Sequence, residues 1–462
     1  MNLKKIFIKN KNKIALIEKN LEITYAELLN EINKIFSFLH KKKFLILLTS
    51  DNTKEFIAIY AGSLINNKTP LLIDQNTDEI SLSKIINLYK PKYAFIKKKN
   101  NFKKFKTVYK FDEYVIVETN FKRKAILNNN LALLLSTSGS ISSPKLVRIS
   151  YKNLFDNTKK IKNYLKIKNQ DVVITTLNPS YSYGISIINT HLSVGAKIIL
   201  NNNSVVNKNF WDLFKIYRPV SFSGVPSTFE ILEKLGYHKL PFEKLNYMTS
   251  AGGRLNKETQ IKLSRFCKNK NIKFYNMYGQ TEASPRMSYL NPKEFDKRYE
   301  SIGKPIKGGS FKLKNTFKAN KKLVGEITYK GKNVCLGYAN KLSDLKKGDE
   351  NRGNLNTGDL AYRDKDGFYF IVGRKDRNIK IYGNRFNLDE IEKKLKKINI
   401  NCACIKKNEK IILFSVISKE KIINNLKNIL KLNLNLFSIK KIKKIPLNKN
   451  KKVNYNILES YV

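Results

Sequence analysis

Histidine, cysteine and tryptophan are nearly absent from this chain, and acidic side chains are scarce. Its 462 residues hold three histidines, four cysteines, one tryptophan and 37 Asp plus Glu against 89 Lys plus Arg. Only His40, His191 and His238 are available, which argues against a histidine-based nucleophilic triad. Cys267, Cys335, Cys402 and Cys404 show no metal-ligand spacing. Cys402 and Cys404 have the alternate spacing of one strand face, and all four read as buried, reduced thiols. No apolar run approaches the roughly 18 residues of a membrane span, and the opening Met1-Asn2-Leu3-Lys4-Lys5 leads into no cleavage-type segment. The chain therefore reads as cytoplasmic.

What abounds is lysine. A formal net charge of +52 points first to nucleic acid, because a basic surface attracts phosphate backbones. Yet 77 of the 89 basic residues are Lys and 12 are Arg, whereas sequence-reading surfaces favour the bidentate fork of Arg. The Lys excess accompanies Asn and Ile along the whole chain, as a bias in nucleotide composition would produce, and no run interleaves aromatic with basic residues as a single-strand platform does. A specific nucleic-acid partner is not expected; salt-sensitive association with acidic partners is. With 42% hydrophobic residues the chain can bury large cores, and about 150 residues per domain predicts two to four units.

Periodicity predicts an α/β architecture. Strands are expected at 44–48, 70–73 and 93–96, with helices at 54–65 and 82–89 between them. The alternation resumes with strands at 172–176, 197–200, 221–223, 246–250 and 272–276, and helices at 185–194, 210–217, 228–235 and 257–267. Stacked, mostly parallel sheets are the natural solution. From about Gly325 the period shifts to two, and Asp366-Gly367 supplies a hairpin turn, so a small β unit follows. Asn387 is placed to cap a helix with Asp389 and Glu390 in its first turn and a buried stripe of Leu388, Ile391, Leu395 and Ile398. Strands near 402–405 and 411–416 and a helix from about 422 to 432 complete a small α+β domain. The expected linker lies at 374–377, dividing the chain into residues 1–375 and a small, mobile domain of residues 376–462.

Two segments carry chemistry. Thr137-Ser138-Gly139-Ser140-Ile141-Ser142-Ser143-Pro144-Lys145 follows the apolar run Leu131 to Leu135, as a strand emptying into a loop that grips phosphate. Small, hydroxylated residues let backbone N–H groups converge on phosphate oxygens while the lysine adds a point charge. The strand expected at 272–276 delivers Tyr278-Gly279-Gln280-Thr281-Glu282 to a sheet's carboxyl edge, where ligands collect.

The ordered set of motifs, from Thr24-Tyr25-Ala26-Glu27-Leu28 to Pro446-Leu447-Asn448-Lys449-Asn450-Lys451-Lys452, resembles the acyl-adenylate-forming superfamily: acyl-CoA synthetases, aryl-CoA ligases, luciferases and peptide-synthetase adenylation domains. The resemblance covers essentially the whole chain and implies an enzyme using ATP and Mg²⁺. It assigns Thr137, Ser138, Gly139, Ser140 and Lys145 to the ATP phosphates, although Ile141, Ser142 and Leu146 stand where Thr, Gly and Gly are frequent. It assigns Gly252 and Gly253 of Ser250-Ala251-Gly252-Gly253 to an adenine slot and Tyr278 to stacking on the purine. Thr281 would bond the α-phosphate and Glu282 would ligate Mg²⁺. Asp359 of Thr357-Gly358-Asp359-Leu360 would accept the ribose hydroxyls, with Arg374 beside it, and Asp376 would be the hinge. Lys452 aligns with the superfamily's C-terminal catalytic lysine; Lys451 occupies the usual glycine position, so a register one residue earlier is also open. In Pro179-Ser180-Tyr181-Ser182-Tyr183-Gly184, amino-acid-activating relatives carry Asp where Ser182 stands. An uncharged acyl or aryl acid is therefore expected, passed to CoA or to the phosphopantetheine of an acidic carrier protein. The alternatives are an amino-acid-activating enzyme that loads a carrier protein and a non-catalytic adenylate-binding relative.

Overall fold

A computed structural model describes residues 2–98, 105–121, 125–136, 145–319, 321–381, 384–408, 410–426, 434–448 and 453–462. The chain divides into two compact units, one formed by Met1–Ser310 and Tyr329–Leu355, the other by Phe311–Thr328 and Asn356–Val462. The boundary expected at residues 375 and 376 lies inside the second of these.

The first unit is built on two sheets. One carries the parallel strands Lys273–Gly279, Tyr247–Ser250, Ser221–Gly224, Val172–Ile174, Lys197–Ile199 and Ile14–Glu18 in that spatial order, with antiparallel Arg286–Leu290 on one side and Leu21–Thr24 on the other. The other places Leu131–Ser136, Thr69–Asp74, Leu45–Ser50 and Tyr93–Lys97 side by side in parallel, followed by antiparallel Tyr114–Glu118. Alternate residues of the strand Leu45–Ser50 serve different cores. Ile46 and Leu48 pack with Phe56, Ile59, Leu135, Ile185 and Ile198, while Leu45 and Leu47 pack with Leu71, Ile86 and Leu134. A strand covered on both faces must be apolar throughout, which is why Leu-Ile-Leu-Leu reads as a run rather than an alternation. The helices Lys54–Ile65 and Ser182–Leu192 are buried nearly all round and contribute to the same central core.

Local signals set the helix starts. Thr24 and Glu27 form a reciprocal capping box at the helix Tyr25–Ser37, Glu27 N donating to Thr24 Oγ1 at 3.1 Å and Thr24 N to Glu27 Oε2 at 2.7 Å. The early motif thus has a structural role of its own. The helix at Ser182–Leu192 starts three residues before its expected position. Asn178 Oδ1 accepts from Ser180 N at 2.8 Å and closes a turn, and Gly184 then packs on that turn so closely that a Cβ would stand 2.3 Å from Asn178 O. Ser182 and Tyr183 are thereby brought into a first helical turn.

In the second unit the strands Asn354–Arg363 and Tyr369–Arg374 pair antiparallel, and Asn387 caps the helix Leu388–Lys396 by accepting from Glu390 N at 2.8 Å, as expected. Leu388, Ile391 and Leu395 are its buried stripe, packed with Cys402, Cys404, Ile411 and Leu413 of the strands Cys402–Lys407 and Lys410–Ser415. All four cysteines are free and buried. Among the described residues no helix is long and apolar enough to cross a membrane.

Candidate active site

The strand Lys273–Gly279 ends where its ladder with Arg286–Leu290 is interrupted by a bulge between Tyr278 and Gly279. Gly279 is required there, because a Cβ would lie 2.0 Å from Pro285 O. The chain then turns through a short 3₁₀ segment, Thr281–Ala283, which places the side chains of Thr281 and Glu282 just beyond the strand's carboxyl end. Tyr278 is half-buried at that end. Thr281 is buried and its Oγ1 donates to Ser182 Oγ at 3.1 Å, joining the motif to the start of the helix Ser182–Leu192.

Glu282 is held from two sides. Its backbone O accepts from Cys335 N at 2.8 Å, and its Oε1 accepts from Tyr338 Oη at 2.9 Å. The opposite use of Tyr338 is its ring face, over which Lys145 Nζ sits 3.6 Å from the centroid. One tyrosine thus joins the last residue of the Ser-rich loop to the carboxylate of the Tyr278–Glu282 motif. Tyr338 was not singled out in the sequence; it lies in the short strand Gly337–Ala339, whose pairing with Leu146–Ser150 spans about 190 residues of chain, and no local pattern marks it. Thr137, Ser138, Gly139, Ser140, Ile141 and Ser142 lie outside the described residues, as do Lys449, Lys451 and Lys452.

Gly252 follows the strand Tyr247–Ser250 with φ +88°, a conformation that favours glycine, and a Cβ there would meet Tyr181 Oη at 2.1 Å. Its missing side chain therefore makes room for Tyr181, while Gly253, whose Cβ would sit 3.2 Å from Pro226 Cγ, is less tightly confined. Ser250 Oγ beside them is buried with no hydrogen-bond partner. Burial pushes the Tyr181 hydroxyl up to about 12, so it stays protonated as a donor at neutral pH.

In the second unit, Asp359 and Arg374 face each other across the ladder of Asn354–Arg363 with Tyr369–Arg374. Arg374 Nη1 donates to Asp359 Oδ1 at 3.1 Å, Asp359 is 6% exposed, and its backbone N donates to Thr357 Oγ1 at 3.1 Å. Gly358 has φ +72°, and a Cβ there would lie 3.1 Å from Arg374 Nη2. The two residues expected to act together thus form one charge-assisted pair. Asp376 is exposed and 3.5 Å from Arg374 Nε. The next residue, Arg377, is half-buried against Glu392, Asp389 and the ring of Tyr455, and those carboxylates hold its guanidinium firmly charged.

As a test of fit for a divalent ion, Glu282 offers a partly exposed carboxylate, and among the described residues no group of three or more His, Cys, Asp or Glu could hold a metal by itself. Such a donor set suits an ion that brings most of its oxygens with a phosphate ligand and water.

Comparison with known proteins gives three relatives of different reach. The oxalate–CoA ligase of Saccharomyces cerevisiae is 28% identical in an alignment of 272 positions that covers 57% of this chain and 48% of that protein, so the chain spans about half of that relative's length. The D-alanine–D-alanyl carrier protein ligase of Staphylococcus aureus is 24% identical in an alignment of 476 positions that covers 96% of this chain and 95% of the relative. The o-succinylbenzoate CoA synthetase of Bacillus subtilis, solved with its acyl-adenylate intermediate, shares the fold with a TM-score of 0.78 at 18% identity, over 99% of this chain and 98% of that one. The sequence pattern of AMP-binding enzymes matches residues 5–339, well over half of the chain and inclusive of Lys145, Glu282 and Tyr338, so the chain belongs to the AMP-binding enzyme family.

Proposed function

We propose that the chain is an ATP-dependent acid–thiol ligase acting in the cytoplasm. A carboxylate oxygen attacks the α-phosphorus of ATP and pyrophosphate leaves, giving an acyl-AMP; a pantetheine thiol then attacks the acyl carbon, AMP leaves and the thiol proton passes to solvent. The observation that carries this reading is the Lys145–Tyr338–Glu282 chain, which ties a candidate phosphate-binding lysine to a candidate metal-binding carboxylate. Mg²⁺ bound by Glu282 would neutralise charge on the phosphates. Lys145, with Thr137, Ser138, Gly139 and Ser140, is assigned to the leaving phosphates, Thr281 to the α-phosphate, and Tyr278, Gly252 and Gly253 to the adenine. Asp359, already paired with Arg374, is assigned to the ribose hydroxyls. Lys452 supplies the cation against the charge that builds at the α-phosphorus, with Lys451 as the other register. Asp376 is assigned as the hinge about which residues 376–462 move relative to residues 1–375.

The acceptor is CoA or the phosphopantetheine of a carrier protein; the relatives include ligases to each, and the basic surface favours an acidic carrier. Near-complete coverage of the D-alanine–carrier protein ligase favours a second reading, activation of an amino acid, against which stands Ser182 in place of an acidic partner for the ammonium. Acid-dependent exchange of labelled pyrophosphate into ATP tests both. Exchange lost in Lys452→Ala and kept in Lys451→Ala is the expected result. ATP binding without exchange for any aliphatic, aryl, dicarboxylic or amino acid would overturn it in favour of a non-catalytic adenylate-binding protein.

A further inference from the structure

Arg286 is the largest unexplained charge in the first unit. It opens the strand Arg286–Leu290, opposite Gly279 in the ladder, and only 1% of its surface is exposed. Its Nε is buried with no hydrogen-bond partner, and among the described residues no ion pair includes it. A guanidinium cannot shed its proton to escape such a site, and an uncompensated buried charge is strongly destabilising. Its companion is an aromatic face, the Tyr183 ring with its centroid 5.0 Å from Cζ, and Tyr164 and Tyr181 also feel its charge. Tyrosine rings shield a cation without neutralising it.

The position of this charge is informative. Tyr183 adjoins Ser182, which receives the hydrogen bond of Thr281, and Tyr181 reaches Gly252 with its hydroxyl. Arg286 is thereby linked, through the ring of Tyr183 and its neighbour Ser182, to Thr281, the residue assigned above to the α-phosphate. Resting on the adenylation reading, we infer that Arg286 selects an acid with a second carboxylate: one carboxylate is adenylated near Thr281 and the other pairs with the guanidinium beside Tyr183. A dicarboxylic acid supplies the missing counter-charge; a monocarboxylic acid leaves Arg286 unpaired, and an amino acid would set an ammonium against it. This departs from the uncharged acid expected from Ser182, because the charge that reads the substrate comes from another element.

The test is pyrophosphate exchange with dicarboxylic acids from oxalate to glutarate and phthalate, each against its half-amide and monocarboxylic isostere, using the full chain and Arg286→Met and Arg286→Lys. A dicarboxylic acid should be preferred to its half-amide by at least about 100-fold in kcat/KM, since an unpaired buried group in the site penalises the analogue that lacks its partner. Arg286→Met should bring that ratio to within a few-fold while adenylating monocarboxylic acids, and Arg286→Lys should retain part of it. Equal rates for acid and half-amide in the parent, or an unchanged preference in Arg286→Met, would overturn the inference. Melting temperature supplies a second readout. Removing an unpaired charge should leave Arg286→Met at least as stable as the parent, whereas a lower melting temperature would mark Arg286 as structural and overturn the assignment. Should no acid support exchange, the adenylation reading fails by itself; the Arg286 assignment is then decided by whether dicarboxylates raise the melting temperature of the parent and not of Arg286→Met.

Discussion

Tyr338 acts through two different forces at once, a hydroxyl bonded to a carboxylate and a π-face under an ammonium. Tyr338→Phe separates them, because the ring remains beneath Lys145 while Glu282 loses its donor. A hydrogen bond to a charged group contributes about 1.5–3 kcal/mol, so pyrophosphate exchange should fall roughly 10-fold, and the Mg²⁺ concentration for half-maximal rate should rise. An unchanged Mg²⁺ dependence would detach Tyr338 from the metal-binding role proposed for Glu282. At Asp359 the same logic concerns nucleotide affinity. Asp359→Asn weakens the partner of Arg374, and calorimetry should show ATP binding weakened by about 10-fold or more, with the melting temperature little changed.

The helix Ser182–Leu192 and the turn at Gly252 are coupled through Tyr181. Gly252→Ala adds both a strained φ and an overlap with Tyr181 Oη, a cost of about 1–3 kcal/mol for the strain alone. In a Tyr181→Phe background the overlap is relieved and the strain is not, so part of the loss should return. Strictly additive losses in urea denaturation would show that the two residues do not meet. The same helix buries His191, whose Nδ1 lies 2.8 Å from Ile187 O, and burial draws its pKa from 6.5 down to about 4. In the unfolded chain it takes up a proton below pH 6.5; in the folded chain it resists until about pH 4. Its contribution to stability is therefore present above pH 6.5 and is lost as pH falls towards 4, amounting to about 3 kcal/mol. His191→Gln should flatten urea midpoints across that window relative to the parent; parallel curves would assign the acid sensitivity elsewhere.

At the scale of the whole molecule the net charge of +52 governs encounter more than fold. Binding to duplex DNA should be independent of sequence and should largely vanish between about 50 and about 200 mM salt, as expected when lysines only displace counterions. Retention of one sequence at high salt would contradict the reading of the Lys excess as a compositional bias. Most elements of the first unit were legible from hydrophobic period. The helix Lys54–Ile65 was placed to the residue, and the cap at Asn387 was read from three letters, since both depend on neighbours a few positions away. The segments at 278–282, 359 and 374 could be picked out for the same reason, since each is a short local motif, and the structure places them on or next to strands. The sequence by itself determined the α/β class, the family and the short motifs. Only the tertiary structure decided that Tyr338 stands between Lys145 and Glu282, that Gly252 yields its space to Tyr181, and that Arg286 is buried with no ion-pair partner among the described residues. Those three facts are contacts between segments up to almost 200 residues apart, set by sheet register and packing, and no local periodicity carries that information.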